Sequence, residues 1–361
     1  MSWPTWLPLR ENLRSLTPYG APQVPAQAFL NTNENPYPPS VQLQEAITQA
    51  VSQASAHLNR YPDRDAELLR TKLATYINGS SGTNFSLDNI WVANGSNEII
   101  QSIFLAFGQG TALGFTPSYS MHPLIGRVSN TPWIDGFRNS DFSLDSKDAT
   151  AQIGLHKPTM TFITTPNNPT GGAVGINEIE KIADAVKLVG GLLIVDEAYA
   201  EFSEQPSAVT LIAKNPHVVV IRTMSKAFAF AGARVGYLVA DPKVKDAMMI
   251  VRLPYHLSSI TQVVAQVALD FKDELLAGVQ TLSKARDLMA ASLTSLGLAV
   301  VESEANFILF SGFGQEASDL WAALLKRGVL IRDVGLSGHL RVTIGNEAEN
   351  ELFITALKEL I

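Results

Sequence analysis

The chain has 361 residues, of which 46% are hydrophobic and 17% are charged, and its formal net charge is −7. This length suffices for a large core and more than one domain, whereas the acidic balance disfavours general nucleic-acid binding, which depends on basic side chains. The absence of cysteine excludes disulfides, thiol nucleophiles and cysteine-ligated metals, and no apolar run approaches the roughly 18 residues that a membrane span needs.

The first 40 residues are rich in proline and asparagine and follow no clear period. This composition predicts an N-terminal arm, residues 1–40, that lies over another surface. The opening stretch MSWPTWLPLRENLRSL lacks a basic region followed by a continuous apolar segment, so it does not resemble a signal peptide. We therefore expect a cytoplasmic protein.

Short apolar strands alternate with segments of helical periodicity between residues 89 and 240. This alternation is typical of βαβ units around a mostly parallel sheet, and strands that are apolar throughout are covered on both faces. The pattern predicts a large α/β domain, residues 41–250. The six strands that it marks are 89–94, 111–115, 159–164, 191–197, 217–223 and 235–240.

The pattern of apolar residues changes after about residue 245. Residues 258–297 form a long run at helical spacing, and strand, helix, strand, strand and helix follow to the last residue. This order predicts a smaller α+β domain, residues 251–361.

Two chemically distinctive side chains follow neighbouring predicted strands. Asp196 ends the strand GLLIVDE, at the edge where open α/β sheets bind ligands, although an acid here also suits a helix cap. Lys226 follows the next strand among small apolar residues, which would favour its neutral, nucleophilic amine. The alternative is a solvated lysine whose stem lies over apolar neighbours.

Three further stretches suit a phosphorylated ligand at the same edge. Thr223, Ser225 and Arg234 surround the lysine with two hydroxyls and a guanidinium. In ANGSNEII, residues 93–100, a glycine opens a helix whose N–H groups suit an anion, although an ordinary N-cap fits this stretch alone. In TPNNPTGG, residues 165–172, two prolines restrict the asparagines between them. A structural turn explains those prolines, but not the position of the turn at this same edge.

Together these groups meet the needs of pyridoxal 5′-phosphate: an amine for the aldehyde, an acid for the ring nitrogen, a donor for the ring hydroxyl and a phosphate cup. The chain resembles the fold-type I pyridoxal-phosphate aminotransferases, and among them the histidinol-phosphate aminotransferases. The motifs that carry the resemblance include PYGAP, LNTNENPYPPS, RYPD, NGSNE, PNNPTG, VDEAY, RTMSKAFAFAGARVGY, VLIRD and LRVTIG, in the family's order. The resemblance implies a large domain with a mostly parallel seven-stranded sheet flanked by helices, as in aspartate aminotransferase.

The resemblance also implies roles for the cofactor-binding residues. Lys226 is expected to bind the cofactor aldehyde covalently and to move the proton during transfer, and Asp196 to pair with the ring nitrogen. Asn168 and Tyr199 are expected to hydrogen-bond the ring oxygen. Tyr119 would stack on the ring, and the phosphate would be held by Gly95, Ser96, Asn97, Thr223, Ser225, Arg234 and, from the partner subunit of a homodimer, Tyr61.

The residues expected at the substrate follow from the same resemblance. Arg341 is expected to clamp the α-carboxylate of glutamate with a bidentate guanidinium. Arg332 and Tyr19 are expected to bind the distal anion, which is a phosphate or a side-chain carboxylate. The pocket positions of the family fall on Asn33, Tyr255 and Asn306.

The implied activity is transamination in histidine biosynthesis: L-histidinol phosphate and 2-oxoglutarate interconvert with imidazole-acetol phosphate and L-glutamate. Three alternatives stay open at this point. They are an aromatic amino-acid aminotransferase, a phosphoamino-acid decarboxylase of the same fold, and a regulatory module that binds the cofactor without turnover. No nucleic acid, membrane or metal is expected as a partner.

Overall fold

The computed structural model describes residues 3–361. It contains eleven α-helices and thirteen strands within that range. The helices are α1 (Val41–Ser55), α2 (Glu67–Ser81), α3 (Ser96–Phe107), α4 (Met121–Val128), α5 (Ser146–His156), α6 (Ile176–Leu188), α7 (Pro242–Val251), α8 (Ser259–Asp270), α9 (Lys272–Ser295), α10 (Ala317–Lys326) and α11 (Glu347–Lys358). The strands are β1 (Ala28–Phe29), β2 (Ile90–Ala93), β3 (Ala112–Thr116), β4 (Trp133–Phe137), β5 (Met160–Thr164), β6 (Leu192–Asp196), β7 (Val218–Thr223), β8 (Gly236–Val239), β9 (Ala299–Val300), β10 (Phe307–Ser311), β11 (Val329–Leu330), β12 (Arg332–Asp333) and β13 (His339–Thr343).

The larger sheet has seven strands in the order β2-β8-β7-β6-β5-β3-β4. Strand β8 runs antiparallel to β2 and β7, and the other neighbours are parallel. Alternate residues of β2 enter two separate cores: Ile90 and Val92 pack on one face, whereas Trp91 and Ala93 pack on the other. Because both faces are covered, the strands are apolar throughout. The predicted α/β fold with a mostly parallel seven-stranded sheet is confirmed.

Each of the six strands marked by the pattern contains one strand of this sheet, apart from differences of one or two residues at the ends. The seventh strand of the sheet, β4, was not predicted from the sequence. Its sequence is WIDGF, and only Gly136 is buried because β4 lies at the edge of the sheet. A half-exposed edge strand lacks the continuous apolar run that marks the central strands.

A second sheet of four antiparallel strands, in the order β12-β13-β10-β9, lies in the C-terminal part. The run of helical spacing at 258–297 forms two helices, because Phe271 leaves helical geometry between α8 and α9. Helix α8 packs against α1 and α2, while α9 packs against β9 and β10. The border proposed near residue 250 stays a prediction.

The N-terminal residues lie along the rest of the chain. The Arg10 and Asn12 side chains donate hydrogen bonds to the Val128 and Arg127 carbonyls at the end of α4. Further on, β1 pairs in parallel with β11. The arm thereby brings residues 30–34 between the two sheets. Within residues 3–361, every helix is too short or too polar to cross a bilayer.

Candidate active site

A cavity of about 470 Å³ lies where the carboxyl ends of the parallel strands meet the smaller sheet and the N-terminal arm. Thr164, Asp196 and Thr223, the last residues of β5, β6 and β7, contribute to its wall. This is the edge of a parallel sheet at which ligands are expected. The predicted site residues in the lining are Tyr19, Asn33, Ser96, Asn97, Tyr119, Asn168, Asp196, Tyr199, Thr223, Ser225, Lys226, Arg234, Arg332 and Arg341.

Asp196 ends β6 with a buried carboxylate that has two partners. Its Oδ2 atom lies 3.0 Å from Nε2 of His122, and its Oδ1 atom accepts the N–H of Ala198 at 3.2 Å. The imidazole is itself buried, at 1% exposure, between Tyr119 and Phe162. The carboxylate is therefore held in one orientation, with the cavity on its open side.

His122 is a site residue that the sequence analysis missed. It stands three residues after Tyr119, in the first turn of α4. A histidine three positions after a predicted ring-stacking tyrosine is a weak signal. Only the fold reveals that α4 brings it onto the strand-end acid.

Lys226 lies just beyond β7, and its Nζ donates to the Thr32 carbonyl at 2.9 Å. Burial of the amine, followed by the positive charge of Arg341, lowers the pKa of Lys226 to about 8, although the nearby carboxylate of Glu34 raises it. Desolvation disfavours an ammonium ion. The lysine is accordingly much closer to its neutral, nucleophilic form at neutral pH than a solvated one.

An anion cup forms at the N-terminus of α3. Among residues 3–361, no side chain caps this helix, so the first N–H groups, at Ser96 and Asn97 in the cavity wall, are available to an anion. Opposite them, Thr223 donates to Ser225 at 3.0 Å, and Arg234 Nη1 donates to Ser225 Oγ at 3.4 Å. Two hydroxyls, a guanidinium and free backbone donors together suit a phosphate.

The backbone of this cup depends on glycine. Gly95 has φ of +83° and ψ of +168°, a region that residues with a Cβ rarely adopt. A Cβ there would also lie closer to the Arg234 guanidinium than side-chain atoms can pack. Gly236 on β8 is equally constrained, because a Cβ would strike the backbone of Gly95 and Ser96.

Two tyrosines and an asparagine face the cavity between these groups. The Tyr119 hydroxyl donates to Asn97 Oδ1 at 3.2 Å, and the Tyr199 hydroxyl accepts from Asn33 Nδ2 at 2.8 Å. Burial raises the pKa of Tyr199 to about 12, so the phenol stays protonated and can donate. Asn168, in the proline-rich loop, accepts from Arg341 Nη1 at 2.5 Å and keeps its own N–H₂ for a ligand.

Two arginines approach from the smaller sheet. Arg341 on β13 is buried; its Nη2 donates to the Asn31 carbonyl at 2.8 Å, while its buried Nε has no hydrogen-bond partner among residues 3–361. Burial lowers the pKa of Arg341 to about 10, which leaves it charged at neutral pH. Arg332 lies directly opposite on β12, with its guanidinium 5.9 Å from the centre of the Tyr19 ring.

Four of the predicted site residues lie outside the cavity lining. Gly95 lies behind Ser96, and Asn306 lies behind the wall, where its Nδ2 donates to the Asn33 carbonyl at 3.2 Å. Tyr61 and Tyr255 stack on each other with ring centres 4.4 Å apart, and their exposures are 80% and 40%. Their direct roles in ligand binding stay predictions.

Comparison with known proteins agrees with this geometry. The family model for aminotransferase class I and II matches residues 26–357. The histidinol-phosphate aminotransferase of Mycobacterium sp. (strain JLS) is 52% identical over 98% of this chain and 94% of its own length. The histidinol-phosphate aminotransferase of Rhodococcus jostii is 51% identical over 98% of this chain and 93% of its own length.

A solved structure has the same fold. It is the histidinol-phosphate aminotransferase of Sinorhizobium meliloti in complex with pyridoxal-5′-phosphate, with a TM-score of 0.84, 24% identity, and coverage of 98% of this chain and 97% of that one. The lysine, acid and anion cup at the strand ends, and a family match that spans nearly the whole chain, lead to one conclusion: the chain belongs to the class I and II aminotransferases.

Proposed function

We propose that the chain is a pyridoxal-phosphate-dependent transaminase that interconverts L-histidinol phosphate and 2-oxoglutarate with imidazole-acetol phosphate and L-glutamate, a reaction of histidine biosynthesis. The relatives that are about half identical over almost the entire chain support this substrate pair. The observation that carries the proposal is the single cavity that unites an amine of lowered pKa, a buried acid, an anion cup and two guanidinium groups.

The residues present fit pyridoxal 5′-phosphate. The uncapped start of α3, with Thr223, Ser225 and Arg234, would hold the phosphate. Asp196, oriented by His122, would pair with the ring nitrogen. When bound, the cofactor supplies an electrophilic aldehyde and an electron-withdrawing ring.

Lys226 supplies both the attachment point and the proton carrier. Its lowered pKa favours the neutral amine that attacks an aldehyde. Its Nζ would also take and hold the proton of the substrate Cα. Its hydrogen bond to the Thr32 carbonyl holds the amine inside the cavity while it is not engaged.

Three further residues of the cavity wall would orient the ring. Tyr199, protonated because of its raised pKa, and the N–H₂ of Asn168 would donate to the ring oxygen. Tyr119, whose hydroxyl donates to Asn97, would cover one ring face. Together these side chains would hold the ring in one orientation and exclude bulk water from it.

Arg341 and Arg332 would bind the anionic groups of the substrates. Arg341, whose guanidinium lines the cavity, would hold the α-carboxylate of glutamate. Arg332, supported by the Tyr19 ring, would take the distal anion, which is the side-chain carboxylate of glutamate or the phosphate of histidinol phosphate. Two half-reactions therefore share one pocket.

The active unit that we propose is a cytoplasmic homodimer in which Tyr61 reaches the phosphate of the neighbouring subunit. The stacked, largely exposed pair of Tyr61 and Tyr255 supports this arrangement, because aromatic rings at a protein surface often mark a contact with a partner.

Paired kinetics test the proposed substrate. The holoenzyme is assayed with 2-oxoglutarate and either L-histidinol phosphate or L-phenylalanine. We expect kcat/KM to be higher for histidinol phosphate, because only that substrate brings a phosphate to Arg332. A higher value for phenylalanine would establish an aromatic aminotransferase instead, and release of carbon dioxide from a phosphoamino acid would establish a decarboxylase.

A further inference from the structure

Three acidic side chains line the cavity, and two of them are already engaged. Asp196 is held by His122 and the Ala198 N–H, and Asp333 accepts the N–H of Gly335 at 2.8 Å. Glu34 is different. Within residues 3–361, its carboxylate makes neither a side-chain hydrogen bond nor an ion pair, although it lies in the wall of a cavity that also contains Arg332 and Arg341.

The backbone beside this carboxylate is firmly held. Asn33 has φ of +56°, and its amide group donates to Tyr199 while its Oδ1 accepts from Thr343 at 2.9 Å. On either side of Asn33, Lys226 donates to the Thr32 carbonyl, and Asn306 lies 3.5 Å from the Glu34 carbonyl. The carboxylate therefore projects from an anchored segment rather than from a free loop.

The chemistry of the lysine does not account for Glu34. A negative charge at this position raises the pKa of Lys226 and so opposes the burial that makes the amine neutral. A neutral side chain would serve the amine better. The carboxylate also repels the anionic groups of glutamate, whereas it can accept a hydrogen bond from a substrate that carries a donor.

We propose that Glu34 accepts a hydrogen bond from the imidazole N–H of histidinol phosphate and so selects an imidazole ring over a phenyl ring. This inference rests on the proposed function. Glutamate has no side-chain N–H, and neither does phenylalanine. Glu34 thereby becomes a specificity residue for one of the two half-reactions. Loss of a hydrogen bond to a charged acceptor should change discrimination by about ten- to a hundredfold.

The test compares the two half-reactions in single turnovers of the wild-type, Glu34→Ala and Glu34→Gln holoenzymes. We expect the ratio of the histidinol phosphate rate constant to the glutamate rate constant to fall at least about tenfold in Glu34→Ala, and less in Glu34→Gln, which keeps a carbonyl acceptor. L-Phenylalaninol phosphate, with the same amine and phosphate but no ring N–H, is the matched control substrate. Its rate constant should not fall with that of histidinol phosphate.

The outcomes separate the two proposals. If both half-reactions fall by the same factor, or if neither changes, Glu34 does not recognise the ring. If phenylalaninol phosphate loses as much as histidinol phosphate, the effect concerns the phosphate and the inference is equally wrong. If the wild-type enzyme fails to turn over histidinol phosphate, the proposed function is wrong as well. The absorbance of the bound cofactor shows whether each variant folds. If Glu34→Ala does not fold, the same rate constants are compared between Glu34→Gln and the wild type.

Discussion

Nε2 of His122 lies 3.0 Å from a carboxylate oxygen of Asp196, and neither side chain is more than 3% exposed. Two buried polar groups in one hydrogen bond hold each other in place, because loss of either would leave a buried polar atom of the other without its partner. The imidazole belongs to α4 and the carboxylate to β6. This contact ties the helix that follows Tyr119 to the strand that presents the ring-nitrogen acid.

Replacing His122 with alanine should therefore reduce activity. We expect kcat to fall by about ten- to a hundredfold, because Asp196 loses one of its two orienting donors. Steady-state kinetics at saturating cofactor measure this change. The control is His217→Ala, since His217 makes a 2.8 Å hydrogen bond to Ala183 away from the cavity. An equal fall in kcat in His122→Ala and His217→Ala would contradict the role of His122 in positioning Asp196.

The lowered pKa of Lys226 predicts how cofactor-free protein captures pyridoxal phosphate. A lysine whose pKa is depressed to about 8 is protonated below that pH and neutral above it. The capture rate, followed by absorbance, should rise through pH 8 and then level off. An ordinary lysine would still be gaining reactivity near pH 10.

Two variants check the source of that titration. Lys226→Ala should form no covalent bond to the cofactor and should give neither turnover nor the visible absorbance of the lysine-linked cofactor. Glu34→Gln should move the midpoint to lower pH, because the negative charge that raises the pKa of Lys226 is gone. An unchanged midpoint in Glu34→Gln would mean that the carboxylate lies too far from the amine to act on it.

Gly95→Ala should weaken cofactor binding by about tenfold or more. The added Cβ would push Arg234 away from the cup, and the backbone would be strained by about 1–3 kcal/mol. A matched control is Gly82→Ala, where φ is +64° but nothing lies within 4 Å of the new Cβ. Equilibrium dialysis of the cofactor should distinguish the two variants, and urea unfolding should find both destabilised. If Gly95→Ala and Gly82→Ala bound the cofactor with similar affinity, the anion cup would not be its phosphate-binding site.

A buried ion-pair cluster lies on the opposite face of β7 from Thr223. Arg222 donates to Glu197 at 2.9 Å and to Glu201 at 3.0 Å. Burial alone would lower the pKa of Arg222, but the two carboxylates raise it above its ordinary value. The guanidinium is therefore charged at any pH at which the protein is folded.

Arg222→Met should reduce the free energy of unfolding by about 3–5 kcal/mol, because two buried carboxylates lose their cation. Denaturant unfolding measures this loss. Arg327→Met removes an exposed pair with Glu359 and should cost at most about 1 kcal/mol. If the two variants were equally stable, the buried cluster would contribute nothing beyond a surface ion pair.

Sequence reasoning predicted most of the sheet and the site because both are local in origin. The central strands are continuous apolar runs, and Asp196 and Lys226 follow such strands directly. The edge strand β4 was missed because buried and exposed residues are mixed along it. His122 was missed because its partner is 74 residues away, and Glu34 because a single exposed acid in a proline- and asparagine-rich arm has no distinguishing pattern.

The direct pairing of Arg332 and Arg341 on β12 and β13 gives the smaller sheet a further property. Two like charges on opposite positions of neighbouring strands repel each other, and an anionic ligand bound between them relieves that repulsion. Because the paired Cα atoms lie about 5 Å apart, both guanidinium groups start from neighbouring points on one face of the sheet. A bound phosphate, or a carboxylate at each arginine, would offset their repulsion, whereas a neutral ligand would leave it in place.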